Sequence, residues 1–412
     1  MNPQNILIIG GGASGIVAAI IAKRAKASVT ILERNPRIGK KILATGNGRC
    51  NFTNIFATNQ DYNHPEFALK ALETFGPHET IHFFEELGIT PKTEELGKTF
   101  PLSEQASSMV DVLLYELDKQ NVIVRTDSYV QKIVKTNDGF TAYLPGNSTL
   151  KADKVILCTG GKAMPKSGSD GSGFVLAKQL GHHITPIFPA LVKLKLNCPY
   201  LKQLDGVKIP GTVELIHNGE VLQVEKGDIL FTSYGISGPT ILQLSRKANQ
   251  LLLQHEEITL KVILVDSLSK EQVKRRFDLA LDKPIDFSLV GLINKRLISA
   301  ILKEAGVTKQ NSLVSDVDKN QVMRIVDLLF DWRFTVNGSK SFEDAQVTAG
   351  GIDILEINKN TMESTLIPGL YFAGEIIDID GLCGGFNLQW AWSSGYLAGK
   401  NASIRGSYDS NH

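Results

Sequence analysis

Cysteine is scarce in this chain and never locally paired. The 412 residues hold four, Cys50, Cys158, Cys198 and Cys383, with no CxxC and no CxxxxC spacing. That rules out a zinc ribbon, argues against a disulfide-reductase relay, and fits a cytoplasmic protein with reduced thiols. Long apolar runs are missing too. The longest fall far short of a membrane span, so no membrane partner is expected. No sign of charge dominates: 44 Lys and Arg face 43 Asp and Glu, for a net charge of +1. Without a basic stripe or interleaved aromatics, nucleic acid is not expected as a partner. His64, His78, His82, His182 and His183 are scattered singly, so no metal site is expected. The N-terminus runs almost directly into an apolar strand and leaves no room for a signal peptide. A second GxGxxG unit is also absent, so no separate nicotinamide domain is expected.

What is present begins at Asn5. Residues 5–9 read NILII, fit for a buried parallel strand. Gly10-Gly11-Gly12-Ala13-Ser14-Gly15 follows, then a helix over 16–27, a second strand over 28–32, and Glu33 at its end. Each part has a physical reason. Gly10 permits the sharp turn, Gly12 lets a pyrophosphate approach the backbone, and Gly15 lets helix and strand pack closely. The helix N-terminus presents free N–H groups and a positive dipole to phosphate. Glu33 lies about 20 residues on, where a carboxylate accepts from ribose hydroxyls.

The segment 34–54 is basic and punctuated by glycines, with Lys40, Lys41 and Arg49 able to balance a diphosphate. Cys50 within it reads as a small buried filler rather than a reactive thiol. Helices are expected at 66–75, 78–87 and 107–120, a hairpin region at 90–105, and strands at 122–125, 129–135 and 141–144. A buried strand at 155–158 runs into Thr159-Gly160-Gly161, a turn whose backbone could face a ligand. Strands at 191–196, 213–216, 221–224, 228–232 and 257–265 mark a β-rich insert, with a hairpin turn at 217–220. Helices at 270–281, 289–305 and 319–329 follow, then a strand at 332–336.

The C-terminal part repeats the phosphate-site pattern. A strand at 370–373 leads into Gly374-Glu375, then Gly384-Gly385-Phe386-Asn387 opens a helix over 388–400, with Asn387 expected as its N-cap. A single dinucleotide needs one glycine turn, and this chain has two at opposite ends. FAD accounts for both: the ADP half at the first, the ribityl chain and flavin at the second. The second helix would then aim its N-terminus at the anionic edge of reduced flavin.

The segments GGGASG, GKKILATGNGRCNFTN, AGGI, LYFAGEIIDIDG and GGFNLQWAWSSG together resemble a bacterial family of flavoproteins. It is described as NAD(P)/FAD-dependent oxidoreductases, or BaiN-like, and its activities include an aminoacetone oxidase and a bile-acid-pathway reductase. The resemblance covers nearly the whole chain. It implies an α/β fold: a glutathione-reductase-type, Rossmann-like FAD domain with an inserted β-barrel-like domain and a small helical domain. By motif it implies FAD contacts at Gly10, Gly12, Ala13, Ser14, Gly15, Glu33, Arg34, Lys41, Thr45, Gly46, Arg49 and Asn51. Further contacts fall at Thr159, Gly161, Gly374, Glu375, Gly385, Phe386 and Asn387, with Val130 against the adenine.

The expected organisation is therefore an FAD domain from 1–189 and 345–405, a β-rich insert at 190–266 with 330–344, a helical insert at 267–329, and a tail at 406–412. The expected activity is FAD-dependent oxidoreduction of a small organic molecule held between flavin and inserts, with NAD(P)H as a possible transient donor. An oxygen-using aminoketone oxidase and, from another class, a flavin-binding RNA-associated protein are the alternatives. The sequence indicates no general base, no substrate and no oligomeric state.

Overall fold

A computed structural model describes residues 3–404. The expected tail at 406–412 lies outside the described residues. The chain divides into two compact units, Met1–Phe188 with Gln346–His412, and Pro189–Ala345.

The first unit is built on a five-stranded parallel sheet. Its order is Leu370–Phe372, Lys154–Leu157, Asn5–Ile9 (β1), Ser28–Leu32 (β2) and Ile123–Arg125. The apolar run of β1 is buried from Ile6 onward because helices and loops cover both faces of a parallel sheet. Helix Ala13–Arg24 (α1) leaves the tip of β1, and every residue from Ser14 to Ala22 is buried. A helix apolar or small on all sides must be covered on all sides. The sheet covers one flank of α1, and the helix Phe386–Ala402 covers the other.

That crossing is unusually close. A Cβ on Gly395 would collide with the Ser14 carbonyl oxygen, and a Cβ on Gly399 with that of Ala18. The two glycines are one turn apart, as are Ser14 and Ala18, so the backbones meet along two successive turns. Polar ties reinforce the contact. Ser14 Oγ donates to the Ala373 carbonyl at 3.2 Å, and Gly374 N–H donates to Ser394 Oγ at 2.9 Å. On its other side the C-terminal helix carries Gln389, fully buried, whose amide donates to Phe75 O, Thr80 Oγ1 and Ser393 Oγ at 2.8–3.0 Å. Such a network holds position because each donor left unpaired in the core costs roughly 1–3 kcal/mol.

The second unit contains a closed six-stranded barrel. Its order is Leu194–Asn197, Gly235–Ser237, Glu220–Thr232, Lys208–His217, Ile258–Ile263 and Trp332–Ser339. The expected hairpin at 217–220 turns on Asn218 and Gly219, both with positive φ, but its strands run far longer than expected. Alternating Val213 and Leu215, Ile229 and Phe231, Leu260 and Val262 fill the barrel. Two helices differ from expectation. The stretch 289–305 is not continuous: Lys295–Glu304 is helical, capped by Asn294 Oδ1 accepting from Arg296 N–H, and a separate turn spans Ile285–Ser288. An unexpected helix, Pro239–Leu253, starts immediately after Gly238, with proline at its first position. Among the described residues no helix is long and apolar enough to cross a membrane.

Gly395→Leu tests the helix crossing. The obstacle is backbone, which cannot rotate away, so the variant should lose about 3 kcal/mol, the upper end of overpacking costs. Lys400→Leu, an exposed position on the same helix, should stay within about 0.5 kcal/mol. Urea unfolding followed by circular dichroism reads both, and equal stability of the two variants would contradict the crossing.

Candidate functional site

The first unit carries a cleft of about 1220 Å³ that runs from the tip of β2 to the start of the C-terminal helix. Its wall includes Gly10, Gly12, Ala13 and Ser14 from the first turn, and Glu33, Arg34, Lys41 and Thr45 from β2 and the loop after it. Val130, Thr159, Gly374, Glu375 and Asn387 complete the expected residues on this wall. Gly15, Gly46, Arg49, Asn51, Gly161, Gly385 and Phe386 stand off it.

The three fingerprint glycines are glycine for different reasons. A Cβ on Gly10 would strike the Cys158 carbonyl, and one on Gly15 would strike the carbonyl of Gly10. These two positions are demanded by the packing of α1 on the sheet. A Cβ on Gly12 would meet nothing within 4 Å. Protein packing therefore does not require glycine there.

Glu33 is only 8% exposed and already oriented. Its Oε2 accepts from Gly11 N–H at 2.9 Å, and its Oε1 accepts from the backbone and side-chain N–H of Asn35, each at 2.8 Å. These donors fix the carboxylate at the end of β2 with lone pairs left over for hydroxyl groups. Next to it Arg34 pairs with Asp170 at 2.5 Å and lies over the Tyr129 ring at 5.2 Å. Burial alone would raise the Asp170 carboxyl, but hydrogen bonds from Ser172 and Arg34 outweigh it and hold the group below the usual range.

In the middle of the cleft Lys41 is not a free cation. It pairs with Glu375 at 2.5 Å, and Glu375 Oε1 accepts from Thr348 N–H at 2.8 Å. Thr348 Oγ1 in turn accepts from Lys162 and Ala163 N–H at 2.7 and 2.8 Å. Gly161 belongs to this layer, since a Cβ there would press on Thr348 Oγ1 at 2.5 Å. Arg49 points elsewhere: it pairs with Glu94, lies 3.3 Å from Glu104 and stacks on Phe100 at 4.1 Å. The guanidinium thus sits on a neighbouring aromatic face beside two carboxylates, with its Nε buried and without a hydrogen-bond partner.

Asn387 is not the N-cap. The helix begins at Phe386, and Gly385 with φ of 105° occupies the cap position. The Asn387 amide instead donates to Gly381 O at 2.9 Å and Leu382 O at 3.1 Å, while its Oδ1 accepts from Gly381 N–H at 2.9 Å. Gly384 and Gly385 both have positive φ, so the chain swings directly into the helix and the asparagine side chain holds the preceding loop. The first-turn N–H groups still lack intrahelical acceptors, and Asn387, Leu388 and Ala391 line the cleft at that end.

Cys50 and Cys158 are both buried, and burial pushes each thiol up to about 12. Cys158 floors the cleft and Cys50 lies off it, and neither is a thiolate near neutrality. The sequence pattern did not single out Ser167, Ser169 or Ser172, which the loop before helix Ser172–Gln179 brings to the wall. Only their density of hydroxyls could have flagged them.

The wall fits a dinucleotide. Besides the open space at Gly12, two buried hydroxyls in it, Thr159 Oγ1 and Ser169 Oγ, have no hydrogen-bond partner. Buried hydroxyls are rarely left so unless something else satisfies them.

The family description "HI0933-like protein Rossmann domain" matches residues 4–401. The 3-dehydro-bile acid delta(4,6)-reductase of Clostridium scindens is 40% identical over 410 residues, 98% of this chain and 100% of that protein. The ribosomal RNA dihydrouridine synthase of Escherichia coli is 33% identical over 406 residues, 97% of this chain and 98% of that protein. Among solved structures, the open conformation of a flavocytochrome c3 fumarate reductase aligns with a TM-score of 0.50 and 16% identity over 98% of this chain and 78% of that one, a likeness of fold.

The glycine assignments separate folding from binding. Gly12→Val should keep the circular dichroism of the wild type yet purify without the 450 nm flavin band. Gly15→Val should lose both. A Gly12→Val protein that retains stoichiometric FAD would show that the pyrophosphate lies elsewhere.

Proposed function

The chain belongs to the HI0933-like Rossmann-domain family of FAD-dependent oxidoreductases, and within that family we propose that it reduces a carbon–carbon double bond conjugated to a carbonyl. The observation that carries this reading is the agreement of two relatives with dissimilar substrates. One is named for reducing a 3-dehydro-bile acid at its 4,6 positions, the other for making dihydrouridine in ribosomal RNA. Both names describe addition of two hydrogens across a double bond in conjugation with a carbonyl.

FAD, when bound, supplies the two-electron hydride chemistry. In the net reaction a hydride and a proton add across the double bond; NAD(P)H is the electron source and leaves as NAD(P)⁺, and the proton comes from solvent. The chain's own residues bind and orient. The α1 N-terminus and the bare backbone at Gly12 take the pyrophosphate, Glu33 takes ribose hydroxyls, and Val130 packs against the adenine. Thr159 and Ser169 offer their unpartnered hydroxyls. The Lys41–Glu375–Thr348 chain ties the basic loop to the C-terminal turn, so both halves of the cofactor meet one rigid wall. The open first turn of helix Phe386–Ala402 would favour negative charge on the reduced flavin; exposed, such an end stabilises an anion by about 0.3–1 kcal/mol.

The preferred substrate class is a small organic enone, because the reductase is the more similar of the two relatives. A second reading, a uridine in ribosomal RNA, rests on the dihydrouridine synthase, similar over nearly its whole length.

Anaerobic mixing of the holoenzyme with NADH or NADPH should bleach the 450 nm band. Adding a conjugated steroid dienone should restore it and yield the saturated product by mass spectrometry. Reoxidation by ribosomal RNA alone, with dihydrouridine formed, would select the second reading. Bleaching by aminoacetone, with oxygen as the sole acceptor, would overturn both.

A further inference from the structure

Part of the cleft wall at its Glu33 end is a single loop. Residues 161–171 run from Thr159-Gly160 to the helix Ser172–Gln179, and Gly171 N–H donates to Gly161 O at 2.9 Å. That bond closes the two ends into a neck, as in an Ω-loop. Gly160 and Gly171, at the neck, have φ of +70° and +88°, a region that glycine enters without penalty. Lys162 and Ala163 are pinned to Thr348 Oγ1. Beyond them the hydrogen bonds of residues 164–170, among the described residues, stay local or run to the segment after β2. Locally, Ser167 N–H and Oγ both reach Met164 O, and Ser172 N–H donates to Asp170 Oδ1. Two ties leave the loop. Asn35 Nδ2 donates to Ser167 O at 3.0 Å, and Arg34 pairs with Asp170 at 2.5 Å. Arg34, Asn35, Ser167, Gly168 and Ser169 all line the cleft.

The Arg34–Asp170 tie is of a kind that opens. The side chains of Arg34 and Asp170 are 37% and 33% exposed, so water competes for the pair. Ser169 is 5% exposed, yet its Oγ has no hydrogen-bond partner in the protein, so the closed loop buries an unsatisfied hydroxyl. Met164 has a φ of +57°, which a residue with a Cβ holds only where its surroundings enforce it. Asp170 itself is not on the cleft wall, and its carboxylate is bonded to Arg34 and Ser172.

We propose that residues 161–171 are a strap over the adenosine end of the FAD site, latched by Asp170 on Arg34, and that this strap sets how fast the cofactor enters and leaves. Asp170 is then a positioning residue that acts through Arg34. The inference rests on FAD occupying the cleft and not on the enone reading, since exchange needs no turnover. A group that only supports a cofactor contact slows release alone. A latch made of protein groups forms with the cleft full or empty, so it slows entry and release together.

The test uses the FAD-loaded full chain. Exchange of bound FAD against radiolabelled FAD gives the release rate, equilibrium ultrafiltration gives Kd, and the two together give the entry rate. Asp170→Asn, nearly isosteric, should speed release about threefold, the scale of a half-exposed ion pair, and speed entry by a similar factor. Kd should therefore stay close to that of the wild type. At high salt the wild type should approach the release rate of the variant, because screening loosens the pair. Amide hydrogen exchange over residues 164–170 should quicken in the variant, and that of β1 should not. Lys166→Gln, at an exposed position on the same loop outside both ties, should match the wild type. Faster release with an unchanged entry rate would overturn the strap and leave Asp170 as support for a cofactor contact. Unchanged rates in Asp170→Asn, or equal effects of Asp170→Asn and Lys166→Gln, would overturn it as well. Failure to reduce any enone, with these rates as expected, would sink the enone reading and support the strap.

Discussion

The two ends of this chain meet where Gly395 and Gly399 lie against the backbone of Ser14 and Ala18. The contact has no side chain between the helices, so its separation is set by backbone alone. α1 fixes the glycine turn at its N-terminus, and the C-terminal helix fixes the turn at 374–388. Their crossing therefore sets how far apart two turns of the cleft wall stand, although about 370 residues separate them in sequence. The buried network around Gln389 then anchors the same helix to the helices of residues 65–86. A shift of the crossing would break hydrogen bonds on both sides, which makes the arrangement stiff.

A stiff scaffold permits an open site. Gly12 faces empty space, and Thr159 and Ser169 keep hydroxyls without partners, states that an unsupported loop would relieve by collapsing. Charges are handled with equal economy. Arg34 is paired with Asp170, Lys41 with Glu375 and Arg49 with Glu94, whereas Arg37 and Lys40 of the same segment line the cleft. The wall therefore offers backbone N–H, helix ends and oriented oxygen atoms together with those two cations.

Much of this was legible beforehand. The fingerprint, its flanking strands and Glu33 could be read because their spacing is local: a turn, a helix and two strands within about thirty residues carry their own logic. The Asn218-Gly219 hairpin was legible for the same reason. Asn387 misled because asparagine before an apolar run is a good cap in isolation, whereas two positive-φ glycines had already moved the helix start. The contacts of Arg49 with Glu94, Glu104 and Phe100 were not legible, because those partners lie 45 or more residues away. The break at 289–294 went unseen because an apolar stretch can continue through a capped turn as readily as through a helix.

The sequence by itself determined the family and the α/β class, because local hydrogen-bonding and steric rules tie glycine, strand and helix to one another over short spacings. Only the tertiary structure decided which of the expected residues face the cleft and which cations are already paired. Those are distances between segments remote in the chain, and they follow from how closely α1 and the C-terminal helix can approach. No periodicity or motif encodes that approach; the absence of a Cβ at Gly395 and Gly399 does so only once their partners are known.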